Sequence, residues 1–250
     1  MTARETRLIM GMPITLQIAD PAGSPAHLAA IFDYFNYVDE TFSTFKDTSE
    51  ISRINRHALA LEDASADVRA IFDLAEQTRQ ETGGFFDAAR PDGYDPTGVV
   101  KGWAIGNAVE RLRRLGFHNF YVEAGGDLEA AGRSGDGTPW QVGIRSPFRP
   151  NEIVKVLSIG DAAVATSGTY VRGQHIYNPL GDGAPLTETV SLTVIGPNIC
   201  DADRFATAAF AMGCAGISFI ENLDGFEGYQ IDPDGLAVFT SGFERYVSHA

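Results

Sequence analysis

Five short segments at residues 119–123, 128–131, 140–144, 154–159 and 162–166 succeed one another, separated mostly by Gly-rich turns. Such a run reads as strands that pair antiparallel with their neighbours, and it limits the fold more than any other feature. Earlier in the chain Ile14, Leu16 and Ile18 alternate with Thr15 and Gln17, the pattern of a half-buried strand. Residues 191–195 read as another strand, and 229–238 as a hairpin turning at Asp232-Pro-Asp-Gly235. Helical spacing joins Leu28, Ile31, Phe32, Phe35 and Val38, and again Val68, Ile71, Phe72 and Ala75 before Gly83-Gly84. A third helix is predicted from about Lys101 to Leu115, stopped by Gly116, and two more over 202–212 and from about Ala215. Residues 83–98 read as a loop, and 1–7 as a polar terminus. Strands and helices neither alternate strictly nor segregate into blocks. The predicted class is therefore α+β, with mainly antiparallel sheets flanked by helices, in a single domain over 1–250.

Composition excludes several functions. Acidic residues outnumber basic ones 33 to 19, for a net charge of −14. No basic face for nucleic acid is visible. The two cysteines, Cys200 and Cys214, are too few for a disulfide framework or a four-cysteine zinc site. No segment has the length of an apolar membrane span. Residues 1–7 carry both signs of charge and lack the marks of a signal peptide, so the expected location is cytoplasmic.

Four groups of residues could carry chemistry. Asp203 and Thr207 are four apart and share a helix face. A carboxylate with a hydroxyl is an oxygen-only pair suited to Mg²⁺, which completes its shell with water and phosphates. Asp201 or Asp203 would equally serve as a helix cap. In Asp95-Pro-Thr-Gly-Val-Val-Lys-Gly102 a turn leads into a helix, with Lys101 in its first turn. The helix dipole disfavours a cation there, which points to an anionic partner, although a solvated lysine fits too. Ala165-Thr-Ser-Gly168 offers small residues that allow close approach, and His175 before Asn178-Pro179 is either a general base or a structural residue. Glu123-Ala-Gly-Gly-Asp127 is either a hairpin turn or a flat ligand surface. Neither a dinucleotide fingerprint nor a Walker A loop is present. Together these oxygen-rich turns suggest a diphosphate ligand with a divalent metal.

Taken in order, the segments resemble the ApbE family, the FAD:protein FMN transferases, from Met10-Gly11 to about Gly213. The marks are Met10-Gly11; Ser49, Ser52 and Asn55; Gly84-Phe-Phe-Asp87; Asp95-Pro-Thr-Gly-Val-Val-Lys-Gly-Trp-Ala104; Gly125-Gly-Asp127; Ala165-Thr-Ser-Gly168; His175-Ile-Tyr-Asn-Pro179; and Asp203 to Thr207. The resemblance implies a flavin cleft between two lobes that binds FAD, with Mg²⁺ on the diphosphate. It implies transfer of FMN to a Thr or Ser hydroxyl of an acceptor protein, leaving AMP. It places the metal on Asp203 and Thr207, helped by a backbone carbonyl within 98–100, and gives His175 the role of activating the acceptor hydroxyl. It places Met10, Asn55, Asp87, Lys101, Gly126, Asp127, Thr166, Ser167 and Gly168 around the flavin. The chain departs from the commonest family pattern at Met12 (Thr), Gly106 (Asp) and Asn178 (Asp). Two other activities are compatible with these residues: an FAD pyrophosphatase, in which water replaces the hydroxyl, and a non-catalytic flavin-binding protein.

Overall fold

The computed structural model describes residues 2–91, 93–149, 151–168, 176–181 and 184–248. Its strands are β1 (Ala3–Ile9), β2 (Met12–Ile18), β3 (Ala89–Arg90), β4 (Gly93–Tyr94), β5 (Phe120–Ala124), β6 (Asp127–Ala131), β7 (Trp140–Arg145), β8 (Ile153–Ile159), β9 (Ala162–Gly168), β10 (Ser191–Gly196), β11 (Glu227–Ile231) and β12 (Ala237–Phe239). The helices are α1 (Pro25–Phe42), α2 (Glu50–Asn55), α3 (Ala66–Glu81), α4 (Thr97–Arg114), α5 (Ile199–Ala211) and α6 (Gly216–Glu221). Eight strands form one sheet in the order β1-β2-β5-β6-β9-β10-β11-β12, and every pair in it is antiparallel. The α+β class read from the sequence is the observed one. No helix among the described residues is long and apolar enough to cross a membrane.

The sheet has a different cover on each face. Ile14, Leu16 and Ile18 of β2 and Phe120 and Val122 of β5 point to one face, where they pack with Phe32 and Phe35 of α1, Ile71 of α3, Ile105 and Val109 of α4 and Phe210 of α5. On the opposite face Leu128, Val164 and Ile195 pack with Trp140 and Ile144 of β7 and Leu157 and Ile159 of β8. The β7–β8 pair is a separate two-stranded sheet. Trp140 ties it to the main sheet by donating its indole N–H to the Ala131 carbonyl at 3.0 Å. The outcome is three layers: helices, sheet and hairpin.

Several elements depart from expectation, among them the short β3–β4 pair inside the stretch 83–98 read as a loop. The polar terminus is strand β1, at one edge of the sheet. Its inward face carries Ala3 and Ile9 and, between them, Glu5 and Arg7, which pair at 2.7 Å, with the Arg7 guanidinium 4.4 Å from the centre of the Phe32 ring. Leu8 points outward, 78% exposed. Charged groups directed inward at an edge strand interrupt the usual apolar alternation and guard the edge against pairing with another chain. The third helix begins at Thr97, a full turn before Lys101. Asp95 supplies the start, its carboxylate accepting the Thr97 N–H at 3.1 Å, and the Pro96-Thr97-Gly98 run forms the first turn, where missing or unpaired N–H groups cost little.

Candidate active site

Strand periodicity puts Asp127 and Glu129 on the helix-covered face of β6. Each is only 2% exposed. Buried carboxylates need partners, and two helices provide them. Lys101 of α4 directs its ammonium at both Asp127 and Asp203 of α5; the Asp203 Oδ1 contact is 2.6 Å. The other Asp203 oxygen, Oδ2, accepts the Gly102 N–H at 2.8 Å. Asp127 Oδ1 accepts the Thr166 N–H at 2.8 Å, tying β9 to the same point. Lys101 thus lies one turn inside its helix, answered by two carboxylates of the chain itself, and not in the first turn as predicted.

Glu129 holds the frame of this cluster. Its Oε2 accepts the Ile199 N–H at the start of α5 at 3.0 Å, and Oε1 pairs with Arg113 of α4 at 3.1 Å. Burial pushes its carboxyl above the usual range, opposed by the Ile199 N–H and the Arg113 charge. Asn198 caps α5 by accepting the Asp201 N–H at 2.9 Å, and Asp201 pairs with Arg204 at 2.7 Å. Asp203 therefore does not cap its helix. Thr207 donates its hydroxyl proton to the Asp203 carbonyl at 3.0 Å, one turn behind.

A cavity of about 400 Å³ opens on this cluster, within the range of small-molecule sites. Asp87, Lys101, Gly126, Asp127, Thr166, Ser167, Gly168, Asp203 and Thr207 all line it. The Gly125-Gly126 pair is both things the sequence left open. It is the two-residue turn of the β5–β6 hairpin, with φ of 61° and 102°, and it forms part of the cavity wall. Glu123 steadies the turn by accepting the Gly126 N–H at 2.8 Å. Gly98 is the residue of 98–100 that lines the cavity; Val99 and Val100 are buried in the core. A Cβ on Gly98 would stand 3.5 Å from Thr207 Cγ2 and 2.8 Å from the Phe86 ring.

Two expected residues do not line the cavity. Met10 occupies the β1–β2 turn with φ of 54°, and its successors Gly11, Met12 and Pro13 are the lining residues. Asn55 spends its amide on the backbone of Tyr94, donating to the carbonyl at 2.9 Å and accepting the N–H at 2.8 Å. It fixes the segment leading to α4. His175 lies outside the described residues. Gly106 does not line the cavity; a Cβ there would sit 3.7 Å from Ile199 Cγ2, between the two helices.

The structure adds residues the sequence did not single out. Arg90 of β3 pairs with Asp95 at 3.0 Å and lies 4.8 Å from the Tyr177 ring centre. Tyr177 donates its hydroxyl to the Asp87 carbonyl at 2.9 Å. Burial raises its pKa above that of an ordinary phenol, offset in part by the Arg90 charge. Across the cavity Arg145 ends β7 beside an irregularity in its pairing with β8, a feature that re-aims side chains. Such an irregularity leaves no trace in hydropathy. Cys200 is half-buried and desolvation pushes its thiol up to about 12, so it is inert at neutral pH.

The donors that face the cavity around Asp203 are oxygens: a carboxylate, a hydroxyl and a nearby backbone segment. No group of three or more His, Cys, Asp or Glu among the described residues could hold a metal by itself. A cation there would need water or ligand oxygens to complete its shell, which fits a hard ion of the Mg²⁺ type.

Comparison with known proteins identifies the family and the fold. The model of the ApbE family matches residues 10–91 and 93–229. A FAD:protein FMN transferase of Vibrio cholerae is 33% identical over 129 residues, covering 48% of this chain and 38% of that protein. One of Klebsiella pneumoniae is 26% identical over 213 residues, covering 81% and 58%. The chain thus spans well under two thirds of the length of these relatives. Among solved structures, the flavin transferase ApbE of Vibrio cholerae superposes with a TM-score of 0.86 at 24% identity, covering 98% of this chain and 99% of that one. The ApbE protein of Thermotoga maritima superposes with a TM-score of 0.88 at 19% identity over the whole of both chains. These neighbours share its fold, and by the match to the family model the chain belongs to the ApbE family.

Proposed function

We propose that this chain is an FAD:protein FMN transferase: it moves FMN from FAD to a Thr or Ser hydroxyl of an acceptor protein and releases AMP, with Mg²⁺ on the diphosphate. The convergence of Asp203, Thr207, Gly98 and Lys101 at one end of the cavity carries this reading. Asp203 and Thr207 would hold the cation, with the Gly98 carbonyl as the backbone oxygen, because Gly98 alone of 98–100 reaches the cavity. When bound, such a cation offsets charge on the diphosphate and on the transition state.

The chain's own groups then position the reactants. Lys101 and the turn at Gly126 face the phosphates, while Phe85, Phe86 and Tyr177 give apolar and aromatic surface for ring systems. The acceptor oxygen forms a new bond to the phosphorus of the FMN half. The bond from that phosphorus to the bridging oxygen breaks, and AMP leaves with the oxygen. The hydroxyl proton passes to a base, a role we assign to His175 on the family resemblance.

The test is to follow FAD cleavage with Mg²⁺, with and without an acceptor peptide. Transfer predicts AMP release that depends on the peptide and is lost in Asp203→Ala. Free FMN and AMP without peptide would mark a pyrophosphatase instead, and intact bound FAD after prolonged incubation a flavin-binding protein.

A further inference from the structure

We propose that Lys101 is an internal counter-ion for the cation site: its ammonium occupies Asp203 and Asp127 when no divalent cation is bound, and gives up Asp203 when one binds. The inference rests on the metal-site reading above. It concerns how this chain keeps that site folded and ready.

Two carboxylates, Asp127 and Asp203, are almost completely buried and come from different elements, β6 and α5. Without a positive partner, such a pair would carry both a burial cost and mutual repulsion. Lys101 is the cation that meets both. On Asp203, Oδ2 is committed to the Gly102 N–H, and the ammonium sits on Oδ1. A divalent cation on the Asp203 carboxylate would therefore meet the ammonium at close range, where like charges repel strongly outside bulk water. Lys101 has a place to go. Its pairing with Asp127 is a separate contact, and that carboxylate is independently anchored by the Thr166 N–H. The side chain lies on the cavity wall, partly exposed, on a flexible stem. Moving from Asp203 toward the cavity, it would keep Asp127 and face an anionic ligand. Metal and diphosphate would then bind cooperatively, since the diphosphate compensates the ammonium that the metal displaces.

The test measures Mn²⁺ binding by electron paramagnetic resonance on the FAD-free protein. Lys101→Met is expected to bind Mn²⁺ about tenfold more tightly than wild type, the scale expected when a close charge pair no longer has to be broken. Lys101→Arg, which keeps the charge, should stay near wild type. Equal or weaker binding by Lys101→Met overturns the proposal, and if Asp203→Asn still abolishes Mn²⁺ binding the metal site itself stands. No Mn²⁺ binding by any of these proteins overturns the metal site and this proposal together. The wild-type chain supplies a second readout that needs no variant to fold. The ¹⁵N-labelled Lys101 ammonium should shift as Mg²⁺ fills the site without FAD. A signal that stays fixed while Mg²⁺ saturates overturns the exchange.

Discussion

Gly102 and Asp203 meet where helices α4 and α5 cross: the Gly102 N–H donates to Asp203 Oδ2 at 2.8 Å, and a Cβ on Gly102 would stand 2.8 Å from the Asp203 Cβ. The same Cβ would lie 2.8 Å from the Ile199 carbonyl oxygen. The absence of a side chain at 102 sets the approach of the two helices, and with it the place of the Asp203 carboxylate.

Gly102→Ala is therefore expected to force the helices apart. The conformation at 102 is ordinary helix, so the added methyl acts by overpacking, at about 1–3 kcal/mol. Urea unfolding should show the loss as a lower midpoint. FAD binding in the presence of Mg²⁺ should weaken in the same variant. An unchanged midpoint would contradict the close crossing.

Asn55 offers a contrast, because it acts on the site from outside it. Its amide makes two hydrogen bonds to the Tyr94 backbone, and Tyr94 stacks on Phe72 with ring centres 3.7 Å apart. Asn55→Ala is expected to cost about 1–3 kcal/mol, two hydrogen bonds at their usual net worth. The affinity for FAD should fall with it, since the segment after Tyr94 leads to Gly98. A variant of wild-type stability would show that the amide does not hold this segment.

Glu129 sets a pH dependence. Burial raises its carboxyl from the ordinary value of 4.5, so the folded protein binds this proton more tightly than the unfolded chain does. Its contribution to stability is then fully present below about 4.5 and is lost as pH rises through the folded value. Glu129→Gln lacks this titration. Measured by urea midpoints from pH 4.5 to pH 7, the difference between variant and wild type should move in the variant's favour as pH rises. The opposite slope would mean that the Ile199 N–H and Arg113 outweigh burial.

Strands 119–166 were legible because they are short and mostly apolar, and most are closed by a Gly-rich turn, so local chemistry and tertiary pairing agree. The Asp203–Thr207 pair was legible because helical spacing alone puts both on one face. Other features depend on partners distant in sequence. Strand β1 turns Glu5 and Arg7 inward, and only the Phe32 ring beneath makes sense of that. Lys101 signalled an anion, and the anions are Asp127 and Asp203, placed by β6 and α5. The motif containing Asn55 pointed to the flavin, and no sequence pattern signals that its amide bonds a backbone 39 residues away. Arg145 reaches the cavity through a pairing irregularity that no periodicity records.

The central claim is covalent transfer of FMN that depends on Asp203. The direct measurement is intact-mass spectrometry of an acceptor peptide bearing one Thr, incubated with the protein, FAD and Mg²⁺. A mass gain equal to FMN less water, located on the Thr, is predicted for wild type. Asp203→Asn keeps the size of the side chain and an acceptor for the Gly102 N–H, and should slow the reaction by on the order of 10²-fold or more. A peptide that stays unmodified with wild type, or is modified equally by Asp203→Asn, would contradict the account.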